Sequence, residues 1–246
     1  MKIIPLNNNN VMTDEEQIRG EGKFIDDHII TYHQPISLFS QEYNNIYSTL
    51  QSIDPENIPR LFSITSAKRR EGRTTATLNL AVVISRQIIG KILVVDADFQ
   101  QPSVHRYMDL PVEKGFVDIL ENKADLKETI KKTSVPNLHI MSAGQYKGGN
   151  RMLFASPIMS GLMRKLREEY EFVIFDVPPI NDHPETGVLA TFLDGVLFLL
   201  KAEHTSKQAI EMARVQLSYF NVKIMGCFLT SVEEHIPKFI FQRFFS

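Results

Sequence analysis

The sequence carries a single cysteine, Cys227, in 246 residues, so no internal disulfide can form. Its neighbours Met225, Gly226, Phe228 and Leu229 predict a small core residue in a reduced compartment rather than a reactive thiol. An excess of one charge is also lacking. With 27 basic and 29 acidic residues the formal net charge is −2, which points away from bulk nucleic-acid binding. No stretch of about 18 apolar residues runs free of charge, as a membrane-spanning helix requires. The longest candidate, residues 187–202, is broken by Asp194. The start, MKIIPLNNNN, lacks the apolar centre of a secretion signal, so a cytoplasmic chain is expected, with any membrane association supplied by a partner or by its tail. The seven histidines show no metal-ligand spacing, and there is neither a Gly-x-Ser-x-Gly element nor a convincing Cys/His pair. Zinc chemistry and thiol or serine nucleophiles are thereby set aside.

Apolar residues make up 43% of the chain, ample for a buried core. Residues 1–35 are polar and aperiodic and are read as a flexible arm. From Ser37, a plausible cap, Phe39, Tyr43, Ile46, Tyr47 and Leu50 fall on one helical face. Strand-like and helix-like stretches then alternate. Strands are expected over 61–65, 91–96, 138–141, 172–175, 195–200 and 222–229. Helices are expected over 74–89, closed by Gly90, around 116–120, over 157–170, and after a capping box Thr205-x-x-Gln208. Continuous apolar strands separated by helices predict an α/β fold, a three-layer sandwich with a mainly parallel sheet and helices on both faces. One domain over 36–230 is the economical division, followed by a Phe-rich tail over 231–246. In such a sheet, ligands are expected at the carboxyl ends of the strands.

The stretch LFSITSAKRREGRTTATLNL, residues 61–80, has the layout of a phosphate-binding P-loop: an apolar strand, a charged loop, then a helix. Backbone N–H groups and the positive helix end cradle phosphate in such a loop, and a cation and a hydroxyl serve the terminal phosphates and Mg²⁺. Lys68, Arg70, Glu71, Gly72, Arg73, Thr74 and Thr75 are therefore the candidate nucleotide-binding residues, with Arg73 in the place of the usual lysine. Asp96 and Asp98 close one expected strand and Asp176 another. If both strands neighbour the loop strand, these acids lie beside bound phosphate. Asp96 is the candidate proton acceptor and, with Arg73, the candidate catalytic residue. Thr74, Asp98 and Asp176 are the candidate Mg²⁺ ligands.

Three blocks in this order carry a family resemblance: Ser66 to Thr75 followed by Asn79-Leu80-Ala81, Leu93 to His105 (LVVDADFQQPSVH), and Val173 to Ile180 (VIFDVPPI). The chain resembles the CpsD/CapB group of bacterial tyrosine autokinases of capsule and exopolysaccharide synthesis, which are related to the MinD/ParA ATPases. The resemblance covers residues 36–230. It implies ATP and Mg²⁺ as cofactors, a membrane polysaccharide co-polymerase that sets chain length as partner, a possible homo-oligomer, no nucleic acid, and a place at the inner face of the cell membrane held through that partner.

The departures are specific. Arg73 replaces a lysine, Arg70 a loop glycine, Gln100 and Gln101 an arginine pair, Val177 a threonine, and Glu185 an aspartate. The helix motif with spaced arginines is here Glu42 to Ser48 with none, and the sequence given ends in phenylalanines where such kinases carry a tyrosine cluster. If position 70 needs a left-handed backbone, arginine there costs about 1 to 2 kcal/mol. Three readings remain open: a kinase acting on other proteins, a regulatory relative with little or no catalysis, and a MinD/ParA-like positioning ATPase. The last rests on Lys68, five residues before Arg73.

Overall fold

Strand β1 (Leu61–Ser66), β2 (Ile92–Asp96), β3 (Ile130–Lys132), β4 (Leu138–Met141), β5 (Phe172–Asp176), β6 (Gly195–Lys201) and β7 (Ile224–Thr230) form one sheet in the order β3-β4-β2-β5-β1-β6-β7. This is a computed structural model, and it describes residues 24–148 and 153–231. All pairings are parallel except β3 with β4.

The central strands β1, β2 and β5 read as continuous buried runs because both faces are covered, and alternate side chains go to opposite layers. Phe62, Ile64, Ile92, Val94, Phe172 and Ile174 join one core with the helices Leu38–Ile53 and Arg73–Gln87. Leu61, Leu93, Val95, Val173 and Phe175 join a second with the helices Phe116–Leu120 and Met159–Glu169. The expected α/β sandwich and its six strands are present, with ends shifted by a residue or two. The short edge strand β3 has no counterpart in the expectations. Three residues are too few for a periodic signal, and its two lysines suit an exposed sheet edge.

Ser37 caps the helix Leu38–Ile53 as expected, its hydroxyl accepting from Ser40 N. The helix Arg73–Gln87 buries every residue from Ala76 to Ser85, so it is covered on all sides rather than along one stripe. Part of that cover comes from residues 24–35, so this stretch of the expected flexible arm is packed on the domain. Ile25 and Ile29 are buried in the first core, and each contributes about 1.5 to 3 kcal/mol of apolar burial. Thr31 N donates to Asn79 Oδ1 at 2.9 Å, and Asn79 Nδ2 donates to His28 O at 3.0 Å. Two isoleucines four apart in a polar stretch are too few to register as a period. Residues 1–23 and most of the Phe-rich tail, 232–246, lie outside the described residues.

Three further expectations are corrected. The loop helix ends at Gln87, where Ile88 N bonds Ile84 O. Gly90 does not close it, and its N–H donates instead to Glu171 Oε2 at 3.1 Å. The cap of the helix Lys207–Tyr219 is Ser206, which accepts from Ala209 N, not Thr205. Cys227 is exposed, because β7 is the sheet edge and Cys227 lies on its open side. Among the described residues no helix is long and apolar enough to cross a membrane.

Candidate nucleotide site

At the carboxyl end of β1 the chain turns through residues 67–72 into the helix Arg73–Gln87. Two left-handed residues make this turn, Gly72 at φ 91° and Arg70 at φ 61°. The condition for strain at position 70 is thus met. Gly72 holds the position before the first helical turn, and Ala76 N bonds its carbonyl.

Glu71 is fully buried and acts as an internal strut: Oε2 accepts from Lys68 N at 3.0 Å, and Oε1 accepts from Thr205 Oγ1. Thr205 Oγ1 also accepts from Lys201 N, so the loop is tied to the end of β6. The Lys68 and Arg70 side chains are exposed at the rim, and Thr75 is half-buried in the first helical turn. Arg73 folds inward. Its Nη1 donates to Ser66 Oγ at 3.0 Å and to Lys68 O at 3.2 Å, and its Nη2 lies 3.5 Å from Asp98 Oδ2.

β5 sits beside β1, but β2 does not; it is one strand further out. The acids meet nevertheless, because Asp96 and Asp176 are register partners across β2 and β5. Thr74 Oγ1 donates to Asp176 Oδ2 at 2.6 Å and lies 3.0 Å from Ser103 Oγ. Asp96 accepts three backbone N–H groups, from Asp98, Ser103 and Val104. Asp98 Oδ1 accepts from Gln101 N at 3.0 Å. Burial pushes the Asp176 carboxyl up to about 6, opposed by the Arg73 charge and the Thr74 hydrogen bond. Burial and the neighbouring Asp176 push Asp96 well above the usual carboxylate range, against its three N–H donors.

All the expected site residues therefore gather at one end of the sheet. Ser66, Ser103 and Thr205 join them, none singled out by the sequence as a site residue: Ser66 and Ser103 lie inside family blocks, and Thr205 fits a helix-cap pattern. A second tie runs from the loop to the segment after β5: Arg69 Nη2 lies 2.7 Å from His183 Nε2, and His183 Nδ1 lies 3.0 Å from Glu185 Oε1. With Arg69 donating to Nε2, the imidazole proton sits on Nδ1. A cavity of about 270 Å³ opens beside this tie, walled by Phe99, Phe154, Pro178 and His183. A larger hollow of about 520 Å³, lined by Tyr47, Arg60 and Glu171, lies at the amino ends of the strands, away from the loop. The loop, the helix end and the acids place the chemistry at the carboxyl ends.

The donor chemistry around Thr74 is all oxygen, as a hard divalent cation requires, and Asp176 Oδ1 is buried with no donor. Among the described residues no three His, Cys, Asp or Glu side chains come close enough to hold a metal by themselves. That suits an ion bound mainly by phosphate and water. Arg73, however, already stands among these oxygens, and a divalent ion does not fit there without displacing it.

A family model described as an AAA domain matches residues 60–221. The chain is 28% identical over 204 residues to CapB of Staphylococcus aureus, covering 83% of this chain and 89% of that one. It is 26% identical over 211 residues to the tyrosine-protein kinase YwqD of Bacillus subtilis, covering 86% and 89%. Among solved structures, the chimerical protein CapA2B2 superposes with a TM-score of 0.78 at 25% identity, over 88% of this chain and 98% of that one. The kinase domain of the Escherichia coli tyrosine kinase ETK gives 0.81 at 19% identity, over 92% and 97%, which speaks to the fold alone.

Proposed function

The chain belongs to the P-loop family described as an AAA domain, with CapB- and CpsD-type tyrosine-protein kinases as its relatives, and from that premise we propose that it is an ATP-binding regulator of capsule or exopolysaccharide synthesis with weakened tyrosine phosphotransfer. Members of this fold family bind nucleotide, typically with Mg²⁺. The partner is the membrane protein that sets polysaccharide chain length and export, and through it the chain works at the inner face of the cell membrane.

In this reading the N–H groups of residues 69–75 and the positive end of the loop helix receive the polyphosphate. Lys68 and Arg70 at the rim attract it, and Glu71 keeps the loop in shape by bridging Lys68 N to Thr205. Thr74 and Thr75 lie in the first helical turn, where a phosphate oxygen would approach. Asp96, whose proton affinity is raised by burial, is the group to take the proton of an attacking hydroxyl, and Asp176 lies opposite it. Thr74, Asp98 and Asp176 hold the oxygens that Mg²⁺ would use, but Thr74 donates to Asp176 and Asp98 is paired with Arg73, so charge neutralisation of the phosphates falls to the loop's own cations.

One observation supports weakened transfer. The Arg73 guanidinium, a broad planar fork rather than a compact ammonium, is drawn onto Asp98 and the loop carbonyl of Lys68. A group held there is not free to follow a phosphoryl group as it transfers.

The test is to incubate the protein with ATP and its membrane partner and to read phosphotyrosine on both by mass spectrometry, with Arg73→Lys alongside. Trace phosphorylation by the wild type and a clear gain in Arg73→Lys are expected. Stoichiometric phosphorylation by the wild type would overturn the regulatory reading.

A further inference from the structure

Three buried carboxylates, Asp96, Asp98 and Asp176, lie in this site, and a largely covered cation of the chain itself, Arg73, pairs with Asp98 and acts on Asp176. The side chains of Arg73 and Asp98 are only 11% and 7% exposed. The guanidinium is fixed on both flanks, by Ser66 Oγ and Lys68 O on one side and Asp98 Oδ2 on the other. Asp98 is itself oriented by Gln101 N, and Thr74 is already spent on Asp176. What is left over is informative. Arg73 Nε is buried with no acceptor, and Asp176 Oδ1 is buried with no donor.

We propose that Arg73 is the resident counter-ion of this acid cluster and stands in for a divalent cation, so that the site takes a nucleoside polyphosphate without needing one. The proposal rests on the nucleotide-site reading above.

Three physical points carry it. First, a guanidinium keeps its charge at any working pH and cannot be displaced by losing a proton, whereas a lysine can. Second, a divalent ion bridging Asp98 and Asp176 would stand within a few ångströms of the guanidinium, and like charges repel strongly where water is scarce. Expelling Arg73 would in turn leave a cation stripped of its buried carboxylate. Third, the unmatched Nε–H supplies the donor that a phosphate oxygen needs, and a guanidinium reaches phosphate through paired N–H groups, which an ammonium cannot do. A phosphate entering the loop completes the hydrogen bonding of Arg73 without breaking its contact with Asp98. A water molecule would serve the unmatched Asp176 Oδ1 without adding charge.

Two measurements test this on the whole protein. Mn²⁺ alone, followed by electron paramagnetic resonance, probes the cluster without nucleotide. Arg73→Gln, which keeps a hydrogen-bonding side chain and removes the charge, is expected to bind Mn²⁺ at least about tenfold more tightly than the wild type, and the gain is lost in Arg73→Gln combined with Asp98→Asn. Equal Mn²⁺ binding by wild type and Arg73→Gln, or none by either, overturns the proposal. A fluorescent ADP titration with Mg²⁺ or with EDTA probes the ligand. The wild type is expected to show affinities within about twofold of each other, and Arg73→Lys, which keeps a cation and guards against a folding defect, a Mg²⁺-dependent gain of about tenfold. A tenfold Mg²⁺ dependence in the wild type overturns this inference alone. Absence of ADP binding by wild type and Arg73→Lys alike overturns the nucleotide reading, and this inference falls with it.

Discussion

Asp96 and Asp176 face each other as register partners at the carboxyl ends of β2 and β5, both buried, with Arg73 the charged group that opposes their repulsion on the Asp176 side. Two acids held this way resist ionisation, and the site therefore stores a pH dependence in its framework.

The sign follows from proton binding. Burial raises Asp176 from an ordinary 3.8 to about 6, and it raises Asp96 as well. Between 3.8 and about 6 the folded chain keeps an Asp176 proton that the unfolded chain has released, so the Asp176 contribution to stability falls as pH rises through that window and levels off above it. Asp176→Asn cannot ionise, and its amide oxygen still accepts from Thr74. The melting temperature of the variant minus that of the wild type is expected to grow from pH 4.5 to pH 7.5. Thermal denaturation at both values checks it, and parallel curves would show that Asp176 does not carry the cost.

The strut from Glu71 to Thr205 gives a second expectation. Thr205→Val keeps the shape but removes the donor to a buried carboxylate oxygen, which costs about 1 to 3 kcal/mol. Ser206→Ala removes the true cap of the following helix and costs about 1 kcal/mol. Urea denaturation of both separates the roles: the Thr205 variant should lose nucleotide affinity as well as stability, and the Ser206 variant stability alone.

How much of this was legible in the sequence depends on the range of the interaction concerned. Strand identity was readable because β-branched, apolar runs such as Ile92–Asp96 report burial on both faces locally. The acids were readable because each closes such a run. The internal ties were not. Thr205 obeys a local capping pattern, yet Glu71, 134 residues away, claims its hydroxyl, and nothing in the spacing records that competition. The position of β2 is left open by the sequence for a similar reason, since sequence order places it after β1 while the crossover puts β5 between them. Cys227 looked like a core residue because its neighbours are apolar. Only the sheet order shows that β7 is an edge.

Asn79 illustrates the same point with a measurable consequence. In sequence it was one letter of a family block. In the structure its side chain bonds Thr31 N, His28 O and Thr75 O, joining the segment before the first long helix to the loop helix. Asn79→Ala leaves buried backbone groups unmatched and is expected to cost about 2 to 3 kcal/mol. Limited proteolysis should then cut around residues 24–36 faster than in the wild type. Unchanged cleavage there would mean that Ile25 and Ile29 hold the segment without Asn79.

Arg70 supplies the last expectation, and it bears on the loop itself. Its backbone is left-handed at φ 61°, a conformation that costs a side-chain-bearing residue about 1 to 2 kcal/mol and glycine almost nothing. Glycine also loosens the unfolded chain, which takes back about 0.4 to 1 kcal/mol. Arg70→Gly should therefore be more stable by up to about 1.5 kcal/mol, and Arg70→Val, with a branched Cβ, less stable than the wild type. Because the Arg70 side chain is exposed and has no part in the Glu71 strut or the Arg73 contacts, the ordering Gly above Arg above Val in urea midpoints reports backbone strain alone. If Val and Gly prove equal, the loop relaxes locally and no strain is stored there. If the order holds, the chain keeps a strained loop under a positive rim, and comparing nucleotide affinity between Arg70→Gly and the wild type then isolates what the Arg70 charge contributes to phosphate capture.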